Sequence, residues 1–132
     1  DFLRGMASRL KPGGRLLLNV PSVESLLYSY FREIEWYRRD GFSPQAAEDA
    51  IEPFCILSPE QTARGVFIRG TEPTKHYLRE ELLVLAREEM KLEVLEILKM
   101  EYDWKTEMED EQTPEWMSEP YPWDWLLIAQ KT

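Results

Sequence analysis

Apolar positions along the chain change period several times, and each change predicts an element. Phe2, Leu3, Met6 and Leu10 share one face of a helix, which Lys11-Pro12 stops near Leu10. Pro12-Gly13-Gly14 combines a preset φ with two residues free to take positive φ, so the chain turns tightly before Arg15. Arg15 to Val20 is a short, almost continuous apolar run closed by Pro21, the pattern of a strand buried on both faces in a parallel sheet. Ser22 then caps a helix whose apolar stripe is Val23, Leu26, Leu27, Tyr30, Phe31 and Ile34. The stripe reaches towards Trp36 and Tyr37, and the helix stops before Gly41.

Ser43-Pro44 and Ser58-Pro59 each set a capping hydroxyl before a proline at the first helical position, which predicts two short helices; Ser58 to Gln61 also fits a capping box. Gly65 to Gly70 encloses a brief β-prone run, and Thr71 to Thr74 reads as a loop with an N-cap at Thr74. A helix over Lys75 to Glu89 follows, with Leu78, Leu82, Leu85 and Ala86 on its apolar face. Its end is open, because Glu89-Met90-Lys91-Leu92 contains no breaker and propensity alone carries a helix to Met100. Leu92 to Trp104 and Trp125 to Gln130 can pair as strands across the acidic connection Lys105 to Pro122.

At 132 residues the chain suits one domain or part of one. Lys plus Arg number 16 against 25 Asp plus Glu, a net charge of −9 that repels phosphate backbones, so nucleic acid is not an expected partner. The longest apolar runs fall far short of the roughly 20 residues that cross a bilayer, so no membrane partner is expected. Cys55 is the single cysteine, which excludes an intramolecular disulfide and a thiolate metal cluster; it fits a reducing, cytoplasmic setting and reads as a small buried apolar residue. Aromatic residues make up 12% of the chain, too many for a disordered acidic polymer.

The helix, Leu10-Lys11-Pro12-Gly13-Gly14 and the strand Arg15 to Pro21 together resemble the segment leading into the fifth strand of class I S-adenosylmethionine-dependent methyltransferases. Tyr77 to Leu82 opening a helix, Leu92 to Trp104, and Pro122 to Lys131 resemble that family's last helix and last two strands in order and spacing. The resemblance implies an α/β fold, the C-terminal half of a Rossmann-like domain. Its mixed sheet would hold the final strand antiparallel between the fifth and sixth, with a helical insertion at residues 22–73 of the kind that forms substrate lids. On this reading 1–21 is helix, turn and strand, and 74–132 the last helix and strands. Where the family often carries an Ala-Gly-Phe turn, this chain has Glu89-Met90-Lys91. The opening Asp1-Phe2-Leu3 has no charged leader or long apolar stretch, and reads as a cut start.

The implied parent enzyme methylates a small-molecule acceptor with S-adenosylmethionine. The Gly-rich loop after the first strand and the acidic residue ending the second, which hold the donor in that family, have no counterpart here. The chain is therefore expected to be inactive alone, with no cofactor-binding residue of its own. A strand at Leu16 to Val20 without its neighbour would expose an apolar edge and invite self-association. Four residues are candidates for the acceptor site. Asn19 ends the first strand, His76 is the one histidine and a potential base, and Tyr77 stands beside it. Tyr28 belongs with Tyr30, Trp36 and Tyr37 to a possible aromatic wall for an apolar or cationic acceptor.

Each candidate has a plainer alternative: a strand-end amide for Asn19, a surface histidine in a helix's first turn for His76, a helix anchor for Tyr77, a core stripe for the aromatics. Trp104, Trp116, Trp123 and Trp125 read as packing residues. Glu107, Glu109, Asp110 and Glu111 lack calcium-loop spacing and read as a solvated connection, so no metal is expected. The competing functional class is a noncatalytic acidic interaction module, in which the aromatic segment 22–37 packs on a partner protein.

Overall fold

A computed structural model describes residues 2–55, 59–68, 72–108 and 112–132, with the backbone alone at 52–55. The side chain of Cys55, the cap at Ser58 and the carboxylates Glu109, Asp110 and Glu111 lie outside the described residues.

Helix α1 (Phe2–Ser8) leads through the Pro12-Gly13-Gly14 turn into strand β1 (Arg15–Pro21). Gly13 has φ +81°, and a side chain on Gly14 would meet the Lys11 carbonyl oxygen at 2.8 Å, so both positions demand glycine. Helix α2 (Val23–Arg39) starts at Ser22, whose Oγ accepts the Ser25 N–H at 3.0 Å. Helices α3 (Pro44–Cys55) and α4 (Pro59–Ala63) begin at the two prolines, as their capping signals predict.

The stretch Pro73 to Lys75 is not a helix start. It forms strand β3 (Pro73–Lys75), antiparallel to β2 (Val66–Ile68). Hairpin pairing and the His76 N–H to Gly65 carbonyl bond of 2.7 Å outweigh the Thr74 capping signal. Helix α5 (Arg79–Val84) therefore starts four residues later than the sequence signal, with the Glu81 carboxylate accepting the Leu78 N–H at 3.2 Å. A single wide turn over Leu85–Glu89 ends it, closed by the Met90 N–H on the Leu85 carbonyl at 2.9 Å. Lys91 then adopts φ +56°, the left-handed conformation that glycine usually supplies after a helix. The strand β4 (Glu93–Glu101), helix α6 (Trp104–Met108) and strand β5 (Trp123–Gln130) complete the described chain.

The main sheet has the order β1-β5-β4, with β5 antiparallel to both neighbours, so β1 and β4 run parallel to each other. Strand β5 alternates buried and half-buried positions along its whole length. Its buried face, Trp123, Trp125, Leu127 and Ala129, packs with Val20, Leu82, Ala86, Met90, Leu92 and Ala7. Strand β1 is not buried on both faces. It is an edge strand in which Leu17 is 64% exposed, because the helices among the described residues cover only the side carrying Leu16, Leu18 and Val20.

A second apolar cluster joins Val23, Leu26 and Tyr30 of α2 to Ile51 of α3 and Phe67 of β2. The α2 stripe is narrower than the sequence suggests, since Leu27 and Phe31 are 57% and 65% exposed. No helix among the described residues is long and apolar enough to cross a membrane.

Candidate functional site

The carboxyl ends of β1 and β4 lie together at the start of β5, since Pro21 pairs with Asp124 and Glu101 with Trp123. In α/β sheets such ends are where ligands settle. A cavity of about 180 Å³ opens there, lined by Pro21, Ser22, Ser25, His76, Asp124 and Glu107, with Leu26, Tyr102 and Trp123 completing its wall. The N-terminal turn of α2 is held against the sheet by Ser25, whose buried Oγ accepts the Trp123 N–H at 2.8 Å. Tyr77 ties the same turn to β1: its N–H donates to Pro21 at 2.8 Å and its carbonyl accepts from the Val23 N–H at 3.0 Å. Glu24 joins these parts from the other side, accepting from the Arg79 N–H at 3.0 Å and from Trp125 Nε1 at 3.3 Å.

His76 is buried, not a surface residue in a helix's first turn, because the helix begins beyond it and β3 delivers it to the crevice. Its Nδ1 lies 3.0 Å from the Thr74 carbonyl oxygen, which can only accept. Nδ1 therefore carries a proton, and in the neutral ring Nε2 is the acceptor. Its ring meets Phe67 edge-on at 5.6 Å. Glu107 accepts the Tyr102 hydroxyl at 2.7 Å, so it is part of the crevice wall and not simply a solvated carboxylate of the connection. Partial burial, then the nearby Glu107 charge, pushes the Asp124 carboxyl above the usual aspartate range.

Of the four sequence candidates, His76 lines the crevice. Asn19 sits exposed inside β1, paired with Leu126, because the strand runs two residues past it. Tyr77 packs with Val20, Leu82, Trp123 and Trp125, and burial followed by the Glu81 charge raises its phenol pKa. Tyr28 faces the 102–122 connection, its ring 5.6 Å from Trp104 and 6.2 Å from Trp123, its hydroxyl donating to the Pro120 carbonyl at 2.8 Å. Burial is also the main cause of its raised pKa.

Tyr30 and Tyr37 of α2 both pack with the Phe67 cluster, Tyr37 also meeting Phe42 with ring centres 5.1 Å apart, whereas Tyr28 lies apart from them against Trp104 and Trp123. Trp104 and Trp123 are buried as packing residues, and Trp116 lies between the guanidinium groups of Arg32 and Arg39, at 5.3 and 4.0 Å. Glu107 and Ser22 were legible as a connection residue and a helix cap, whereas Asp124 and Ser25 carried no site signal of their own. Nothing in their sequence spacing brings them together; strand pairing does.

The crevice does not fit S-adenosylmethionine. Its volume is below the roughly 300–1,000 Å³ of sites that take ligands of that size. The glycine turn is not a substitute cradle, because the Gly13 N–H is spent on the Lys131 carbonyl at 2.7 Å and the Gly14 N–H on Lys11 at 2.8 Å. Among the described residues no group of three His, Cys, Asp or Glu side chains could hold a metal ion.

No known family model matches the chain, and no curated protein matches it. Among solved structures it is similar to a SAM-dependent methyltransferase from Methanosarcina mazei, with 18% sequence identity and a TM-score of 0.44 over 98% of this chain. The chain spans about half of that protein, 49% of its length.

Proposed function

We propose that this chain is the C-terminal portion of a class I S-adenosylmethionine-dependent methyltransferase, contributing the acceptor side of the active site for a small molecule. The observation that carries this reading is the strand order: an antiparallel β5 between parallel β1 and β4, entered through the Leu10-Lys11-Pro12-Gly13-Gly14 segment. In that reading the Rossmann-like half that binds the donor lies outside residues 1–132, and this chain alone transfers no methyl group. Calorimetric titration of S-adenosylhomocysteine into this chain and into the longest polypeptide its gene encodes tests the idea. Binding by the longer form alone is the expected result; binding by neither removes the methyltransferase reading.

A noncatalytic interaction module is the second reading, favoured by the outer side of α2. Leu27 and Phe31 are exposed there, and Phe31, Ile34 and Phe42 line an open groove of about 520 Å³ together with Arg38 and Arg39. A titration with no donor bound by either form shifts the balance to this module.

A further inference from the structure

We propose that the outer face of α2 is a self-association surface, on which a second copy of this chain docks with its own α2 antiparallel. The inference names the partner for the surface on which the interaction-module reading rests, and it is equally compatible with a chain that belongs to a methyltransferase.

Glu24, Leu27, Phe31, Ile34 and Arg38 recur along α2 at alternating spacings of three and four residues. That is the spacing of a coiled-coil seam, and it lines these positions up along one side of the helix. The seam is not the core stripe. Val23, Leu26 and Tyr30 face Ile51 and Phe67 from a neighbouring side, while Leu27 and Phe31 stay 57% and 65% exposed and Ile34 is half-buried between the two faces. An apolar line of this kind is what a helix presents to another helix.

The charges along the seam select the partner. The helix is acidic in its first turn, through Glu24, and basic in its last, through Arg38 and Arg39. Arg39 is held by Glu35, whereas Arg38 pairs with no carboxylate among the described residues. Glu24 accepts from the Ser22 hydroxyl, the Arg79 backbone N–H and Trp125 Nε1, none of which carries a charge, so these contacts leave it an anion. A second α2 laid antiparallel with the dyad at Phe31 sets Glu24 of one copy against Arg38 of the other, twice over, and opposes the two helix dipoles. A parallel pair would set like charges together at both ends.

The same antiparallel register brings Leu27 of one copy to Ile34 of the other. There Phe31, Ile34, Arg38, Phe42 and Pro44 line the open groove of about 520 Å³, a hole for the incoming leucine. The net charge of −9 on each copy opposes association at longer range, which salt screens. One helix-on-helix contact falls short of the roughly 800 Å² per partner of a standard interface, so the dimer is weak and dissociates on dilution.

Sedimentation velocity of the full chain over a concentration series into the millimolar range, at physiological ionic strength, reads the association. A monomer–dimer equilibrium is the expected result. Phe31→Asp and Leu27→Asp should each weaken it at least tenfold while leaving the thermal melt in place, because both side chains are exposed. In a Cys55→Ser background, mild oxidation of an equimolar mixture of Leu27→Cys and Ile34→Cys chains should give mainly the mixed disulfide. A wild-type chain that stays monomeric leaves the groove to a different partner and overturns the proposal. So does a dimer unchanged in a folded Phe31→Asp chain, which places the contact elsewhere, and so does preferred cross-linking of Leu27→Cys chains to each other, the parallel arrangement. Sedimentation of the wild type and Phe31→Asp decides the matter even if the cysteine variants do not fold. The donor titration is read separately: a monomeric chain removes the α2 pair alone, and failure to bind S-adenosylhomocysteine removes the methyltransferase reading alone.

Discussion

The sheet and the excursion between its first strand and its last helix are stabilised differently. In the sheet, β1 and β4 pair with β5 along nearly its whole length, and its buried face reaches 0% exposure at Leu127 and Ala129, as do Leu82 and Ala86 of the late helix and the turn that ends it. Among its described residues the excursion, 22–75, has one apolar cluster around Tyr30 and Phe67, a hairpin of two three-residue strands, and large apolar side chains left exposed at Leu27, Phe31 and Phe42. Backbone pairing and side-chain burial reinforce each other in the first region. Among the described residues of the second, short strand pairing and one cluster carry the packing, so the excursion should open locally before the sheet does. The two regions meet mainly through side chains: Ser25 on Trp123, Glu24 on Trp125 and the Arg79 N–H, Tyr28 on Trp104, Trp123 and the Pro120 carbonyl, Lys75 on Glu81, and Arg32 and Arg39 over Trp116.

The largest expected effect comes from removing the aromatic joint. Trp104 is 2% exposed and donates through Nε1 to the Ser118 carbonyl at 2.8 Å. Trp104→Ala should cost about 3–5 kcal/mol in urea unfolding. Hydrogen exchange should accelerate more in α2 than in β5; equal acceleration would make the two regions one cooperative unit and end the comparison.

Ser25→Ala should cost about 1–3 kcal/mol, because the Trp123 N–H would lose its acceptor in a buried place. A variant as stable as the parent would mean that this joint carries no weight. The smallest effect belongs to the sheet side alone. Lys91→Gly relieves a left-handed non-glycine residue and should raise the unfolding free energy by about 1 kcal/mol without slowing exchange in α2. Slower exchange in α2 would show that the excursion draws its stability from the sheet.

Much of the local structure was legible because it rests on short-range physics. The Pro12-Gly13-Gly14 turn, the Ser22 cap, the proline starts of α3 and α4, and the alternation that puts Trp123 and Trp125 on one face follow from φ restrictions, capping bonds and the two-residue period of a strand. Where the reading failed, a distant partner had outvoted a local signal. Thr74 looked like a cap until β2 paired with the residues around it, and this moved His76 from a helix surface into the crevice wall. The end of the late helix was ambiguous because nothing in Glu89-Met90-Lys91 breaks a helix; the wide turn and the positive φ of Lys91 deliver Leu92 to the sheet core.

The sequence by itself determined the Pro12-Gly13-Gly14 turn, the Ser22 cap, the alternating faces of β5 and the acidic charge, since each depends on composition or on residues within a few positions of one another. Only the tertiary structure decided which groups share a site. Asp124 and Glu107 meet Ser22, Ser25 and His76 across a chain separation that no local pattern encodes. That meeting follows from β5 pairing with β1 and β4, a register set by the burial of alternate side chains.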